Sequence, residues 1–159
     1  MSIVIDHLDI TDPAVASTVL DIQRRSYRVE AQLIGSDTIP PLTETVEELR
    51  ACGENFLGAS VDDQLAGIVS WKFDGETIDI HRLAVDPPFF RRGVGVALVR
   101  AVLSVESAAR RAIVQTGAVN DPAKALYRGE GFVQVDEREV GDGVRVALFE
   151  RQLHATSSS

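Results

Sequence analysis

From Ser2 to Ile10 the chain reads SIVIDHLDI, with apolar and polar positions in turn: the two-residue period of a strand that buries one face. At Asp12 and Pro13 the period changes, because an aspartate cap followed by proline in the first turn starts a helix. Apolar residues then recur at Val15, Val19 and Ile22, shift to Tyr27, Ala31 and Ile34, and stop before Gly35. That shift predicts a bend near Arg24 to Ser26. SDTIPPLT reads as a loop, and TETVEELRAC as a short second helix with acids where the helix dipole favours them. NFLGASV, QLAGIVSWKF and ETIDIHRLAV are three strands joined by Asp62-Asp63 and Asp74-Gly75, an antiparallel meander. A helix with Val94, Leu98, Ala101, Val102 and Val105 on one face follows, then a strand, RAIVQTGAV. Asn120 to Gly129 forms a short helix, and GFVQVDEREV with VRVALFERQL a closing hairpin around Gly141 to Gly143. These elements make one α/β (α+β) domain over residues 1–153, with a mixed, mostly antiparallel sheet flanked by helices. HATSSS, residues 154–159, is expected to be a disordered tail.

Composition narrows the function. With 45% hydrophobic and 25% charged residues the chain is an ordinary soluble globular one, and no apolar run reaches the ~20 residues of a membrane span. A lone cysteine, Cys52, excludes an internal disulfide and reads as a small buried hydrophobe in a reducing, cytoplasmic setting. Residues 1–12 carry acids where a signal peptide carries basic residues. A net charge of −8 argues against nucleic acid as partner, since phosphates demand a basic face. His7, His81 and His154 lack metal-ligand spacing, so no metal is expected.

One stretch stands against the acidic background: LAVDPPFFRRGVGVALVRAVL, Leu83 to Leu103. A glycine-punctuated turn between a strand and a helix suits a phosphate, because glycine admits close backbone approach and a helix N-terminus presents free amides. The amides of Arg92, Gly93, Val94, Gly95 and Val96 are the candidate ligands. Arg91 and Arg92 add charge, with Arg82 and Arg100 nearby in sequence. No Gly-Lys-Ser/Thr follows, which excludes a Walker loop. Leu98 in place of a third glycine argues against a dinucleotide fingerprint.

A second stretch, NDPAKALYRGEGF, places Asn120, Ala123, Leu126, Tyr127, Gly131 and Phe132 at the spacing N-x-x-A-x-x-L-Y-x-x-x-G-F. Together with RRGVGVAL after Leu83-Ala84-Val85, it resembles the motifs of the Gcn5-related N-acetyltransferase (GNAT) superfamily, over nearly the whole chain. Phe90 departs from that family's R/Q-x-x-G-x-G/A pattern at its first position, and its side chain cannot donate to phosphate.

The resemblance implies a GNAT fold, an acetyl-CoA donor, and direct transfer to a primary amine in a ternary complex. An acyl-CoA-binding module without transferase activity is the alternative, and other acyl donors stay open. By the same resemblance the amides at Arg92 to Val96 hold the pyrophosphate, backbone groups of Leu83, Ala84 and Val85 hold the pantetheine arm, and Asn120 and Ala123 contact the cofactor. Tyr127 matches the family's proton donor to the leaving thiolate. For the base, Asp79 and His81 stand two apart on one strand. Histidine titrates nearer neutrality, and aspartate needs burial to compete. Tyr27, Glu30 and the SDTIPPLT loop fall where relatives build the acceptor pocket, although Glu30 reads as a solvated helix residue. Trp71 is expected in the core or pocket wall. The acceptor is a small-molecule or peptide amine, and the protein a monomer or homodimer.

Overall fold

A computed structural model describes residues 2–33, 43–141 and 143–153. The tail at 154–159 and most of the SDTIPPLT loop lie outside them. In chain order the elements are β1 (Ile3–Leu8), α1 (Pro13–Leu33), α2 (Val46–Arg50), β2 (Asn55–Val61), β3 (Gln64–Phe73) and β4 (Thr77–Val85). A single 3₁₀ turn at Pro87–Phe89 leads to α3 (Val94–Val105), β5 (Arg111–Gly117), α4 (Asp121–Gly129), β6 (Val133–Gly141) and β7 (Val144–Gln152). They form one seven-stranded sheet in the order β1-β2-β3-β4-β5-β7-β6. Every neighbouring pair is antiparallel except β4 and β5. The expected meander and closing hairpin are both present, the first with Asp62 and Asp63 at positive φ of 52° and 64° in its turn.

Two apolar clusters cover the two faces of the sheet. Leu98, Val99 and Val102 of α3 pack with Trp71, Ile78, Ile80, Tyr127 and Phe149 on one face. Ala16, Val19, Leu20 and Ile22 of α1 pack with Leu49, Phe56 and Ile68 on the other. Trp71 is wholly core, its Nε1 donating to Glu106 Oε2 at 3.3 Å. Cys52 is half-buried against the α1 cluster rather than enclosed. Where a bend was expected at Arg24–Ser26, α1 runs on as one 21-residue helix. Its stripe changes because its first half faces the core, and its second half, with Gln23, Ser26, Tyr27 and Glu30, faces a cavity.

Two features of β4 shape that cavity. In the pairing with β3, Trp71 opposes Ile80 and Ser70 opposes Arg82, so His81 is an extra residue in a β-bulge. The bulge reverses the side-chain phase: Ile78 and Ile80 point to the α3 face, whereas Arg82 lies over the Phe56 ring on the α1 face. Secondly, β4 pairs with β5 only from Thr77 to Ile80, opposite Arg111 to Val114. Beyond that point the two parallel strands separate, and β5 keeps pairing with β7 through Gly117. The sheet is split at its centre.

Candidate active site

The split opens into a cavity of about 770 Å³, lined by α1, the ends of β4 and β5, the 87–91 turn and α4. On the β4 side, Asp86 N–H donates to Ala66 O of β3 at 2.8 Å. Backbone groups alternate along an antiparallel strand, so those of Ala84 also face β3, and those of Leu83 and Val85 face the split. Of the three residues expected to offer backbone groups, Leu83 and Val85 can do so. Ala84 contributes its position in the cavity wall instead.

At the mouth lies the glycine turn. Arg91 and Gly93 have φ of 64° and 80°, flanking Arg92, an alternation of hand that turns successive N–H groups toward a common point. Gly93 is the N-cap of α3 and gives no side-chain cap. The other helices are capped: Asp12 Oδ1 accepts from Ala14 N–H at 2.8 Å, Thr45 and Glu48 form a capping box, and Asn120 accepts from Ala123 N–H. The first bond within α3 runs from Ala97 N–H to Gly93 O, which leaves the N–H groups of Val94, Gly95 and Val96 without intrahelical acceptors. Val94 is 1% exposed, backbone included, and of these three residues it is Gly95 that lines the cavity. Gly95, Phe90 and Arg91 line the cavity, while the Arg92 guanidinium lies over the Phe89 ring at 5.8 Å.

The two other arginines expected near the phosphate are engaged elsewhere. Arg82 is clamped by Glu44 and Glu54, with Nε to Glu54 Oε1 at 2.8 Å and Nη2 to Glu44 Oε2 at 2.9 Å. Burial pushes the Glu54 carboxyl up, but hydrogen bonds from Arg82 and Ser70 outweigh it and hold Glu54 below the usual range. Arg100 pairs with Glu130 at 2.8 Å on the outer face of α3. The local charge at the turn is therefore that of Arg91 and Arg92 alone among the four arginines named from sequence.

On α4, the Tyr127 ring is buried against Phe132 and Phe149, at 5.5 and 6.2 Å between centroids, and lines the cavity. Burial, and then the Glu30 carboxylate, push its phenol well above the usual tyrosine range, so it stays protonated at neutral pH. Asn120 and Ala123 line the same wall. Asn120 Oδ1 caps α4, while its Nδ2 donates to Glu30 Oε1 across 90 residues of sequence at 2.5 Å.

The two strand candidates for a base are placed differently from each other. His81 lines the cavity, with Nε2 3.3 Å from Asp79 Oδ2 and Nδ1 3.8 Å from Glu54 Oε2. Asp79 is held against His81 and is not part of the cavity lining. Glu30, expected to be solvated, is half-buried in the cavity wall, and burial raises its carboxyl above the ordinary value against the opposing Asn120 bond. A signal for it exists in the sequence. Gln23, Ser26, Tyr27 and Glu30 prolong the Ala16, Val19 and Leu20 stripe at helical spacing, and polar residues on a core-facing stripe mark a cavity. Among the described residues no cluster of histidine, cysteine and carboxylates could hold a metal, and no helix is long and apolar enough to cross a membrane.

The split parallel pair, with an uncapped glycine-led helix at its mouth and a buried tyrosine opposite, puts an open strand edge and an anion-binding helix end in one cavity. Residues 17–132 match the model of the acetyltransferase (GNAT) family, and the chain belongs to that family. It is 34% identical over 137 residues to the N-alpha-acetyltransferase RimI of Mycobacterium tuberculosis, covering 80% of this chain and 84% of that protein. It is 32% identical over 145 residues to the UPF0157 protein YqkA of Bacillus subtilis, covering 91% of this chain and 42% of YqkA, so it spans less than half of that relative. Its fold is shared with the PaiA N-acetyltransferase of Thermoplasma acidophilum, solved in complex with coenzyme A: TM-score 0.72 at 20% identity, covering 96% of this chain and 100% of that one.

Proposed function

We propose that this chain is an N-acetyltransferase that takes its acyl group from acetyl-CoA and transfers it directly to a primary amine. The observation that carries the reading is the pairing of the split between β4 and β5 with the uncapped N-terminus of α3 at its mouth. The residues fit the donor. A diphosphate at the Arg91–Val96 turn would meet the N–H groups of Gly95 and Val96, the positive end of the α3 dipole, and the Arg91 guanidinium. An extended, amide-bearing arm entering the split would add to the free edge of β4 through Leu83 and Val85, as a strand adds to a sheet. The acyl thioester supplies the electrophile.

From there the chain's own groups act. The Val85 N–H is a donor for the carbonyl oxygen as negative charge develops on it. The Tyr127 phenol, kept neutral by burial, gives a proton to the departing sulfur. The apolar walls of Ile80, Val114 and Leu126 exclude water from the thioester.

The test is acceptor-dependent thiol release from acetyl-CoA, with four amines: Ala-Ala-Ala amide, Nα-acetyl-lysine amide, spermidine and kanamycin. The reading predicts release with at least one of them above the no-acceptor rate. Binding of acetyl-CoA with no release would leave an acyl-CoA-binding module, and no binding would remove the coenzyme A reading.

A further inference from the structure

Three groups lining the cavity are not used by the donor contacts proposed above: Glu30, the Asn120 Nδ2 that donates to it, and Tyr27 one helical turn before it. Each is placed at a cost. A carboxylate half withdrawn from water loses solvation that a single amide only partly restores. The Tyr27 hydroxyl is closed from solvent and has no hydrogen-bond partner among the described residues, an arrangement native proteins rarely keep without a use. Glu30 Oε1 takes the Asn120 bond, and no bond is made to Oε2 among the described residues. The cavity wall therefore presents one carboxylate oxygen with unused acceptor capacity, close enough to raise the phenols of Tyr27 and Tyr127.

The strand groups are poorly disposed for the same task. Both His81 ring nitrogens face carboxylates, Asp79 on one side and Glu54 on the other, and Asp79 is outside the cavity. Glu54 is already bound to Arg82 and Ser70.

We propose that Glu30 is a catalytic residue of this chain: it receives the acceptor's ammonium group, takes its first proton and delivers the neutral amine to the thioester, with Asn120 fixing its position. The inference rests on the N-acetyltransferase reading above and names its substrate class, amines that arrive as cations. The balance is simple. R–NH₃⁺ gives one proton to the Glu30 carboxylate, and the nitrogen lone pair then forms the N–C bond to the acyl carbon as the C–S bond breaks. The sulfur leaves with the electron pair and is protonated by Tyr127. The second nitrogen proton returns to the Tyr127 oxygen, and the first passes from Glu30 to solvent. Products are the amide, the free thiol and one released proton. Among the described residues the titratable groups that feel the Glu30 charge are Tyr27 on α1 and Tyr127 on α4, both protonated in the working range.

The experiment compares wild type, Glu30→Gln, Glu30→Asp and Tyr27→Phe with the four amines named above, measuring acetyl-CoA affinity by calorimetry and thiol release across pH. Glu30→Gln should bind acetyl-CoA within about twofold of wild type, yet lose on the order of 100-fold in kcat/KM, the usual contribution of a general base. The acidic limb of its kcat profile should disappear, and Glu30→Asp should recover part of the rate and restore that limb. Tyr27→Phe should raise the melting temperature, because an unsatisfied buried hydroxyl is removed, and keep the acidic limb. A Glu30→Gln rate within twofold of wild type, or an unchanged acidic limb, overturns the assignment while leaving the acetyltransferase reading intact. Wild type that binds acetyl-CoA but acetylates none of the four amines overturns it as well. Wild type that does not bind acetyl-CoA overturns both.

Discussion

In the proposed mechanism Tyr127 and Glu30 divide the acid–base work by environment, and each assignment can be measured. Replacing Tyr127 by phenylalanine removes the proton donor but keeps the ring that packs on Phe132 and Phe149. The rate of thiol release should fall by roughly 10²-fold or more, with acetyl-CoA affinity and melting temperature nearly unchanged. Equal rates in the variant would remove Tyr127 from the chemistry. Glu30 leaves a signature in stability. Its carboxyl titrates above the ordinary value of 4.5 because burial disfavours the charge, so its ionisation weakens the fold. The wild type has its full stability relative to Glu30→Gln below about pH 4.5 and loses it as pH rises through the raised value. Glu30→Gln should therefore melt above wild type at pH 7, by a margin that narrows toward pH 4.5. A variant that melts lower at pH 7 would mean that Glu30 is a structural ion and not a strained functional one.

At the scale of elements, the site depends on how closely α3 approaches the sheet. Gly67 of β3 lies opposite Val85, and a methyl group there would sit 2.9 Å from Ala84 O and 2.9 Å from Val94 Cγ1. Gly67→Ala must push β4 or α3 aside, at about 1–3 kcal/mol for an overpacked core, or roughly 2–12 °C in melting temperature for a chain of this size. Acetyl-CoA affinity should fall with it, since the α3 N-terminus and the β4 edge move apart. An alanine variant with unchanged melting temperature would contradict this packing. What was legible from sequence follows the same logic. The glycine turn and the Asn120–Phe132 helix are local, so their residues name them, and hydrophobic period alone supplied the order of strands and helices. The His81 bulge, the end of β4–β5 pairing at Ile80 and the burial of Glu30 beside Asn120 all arise from contacts between distant segments. For the same reason Arg82 and Arg100, close to the turn in sequence, are drawn away by Glu44, Glu54 and Glu130.

In the whole molecule, a net charge of −8 surrounds a site proposed to take an anionic donor. At the glycine turn an uncapped helix dipole, backbone amides and the Arg91 side chain provide a local positive end within an acidic surface. The Arg25–Asp86 ion pair, 2.8 and 3.0 Å across its two contacts, ties α1 to the chain where β4 enters that turn. Two walls of the cavity are thus braced together.

Thermal unfolding with and without acetyl-CoA tests the central claim most directly. A ligand at a hundredfold excess over Kd that binds only the folded protein stabilises it by about 2.7 kcal/mol, or roughly 5–10 °C here. Acetyl-CoA should give that rise, and N-acetylcysteamine thioester, which has the acyl group and sulfur but no diphosphate, a much smaller one. No rise with acetyl-CoA, or an equal rise with the truncated thioester at the same concentration, would contradict a site built around the amides of Gly93 to Val96.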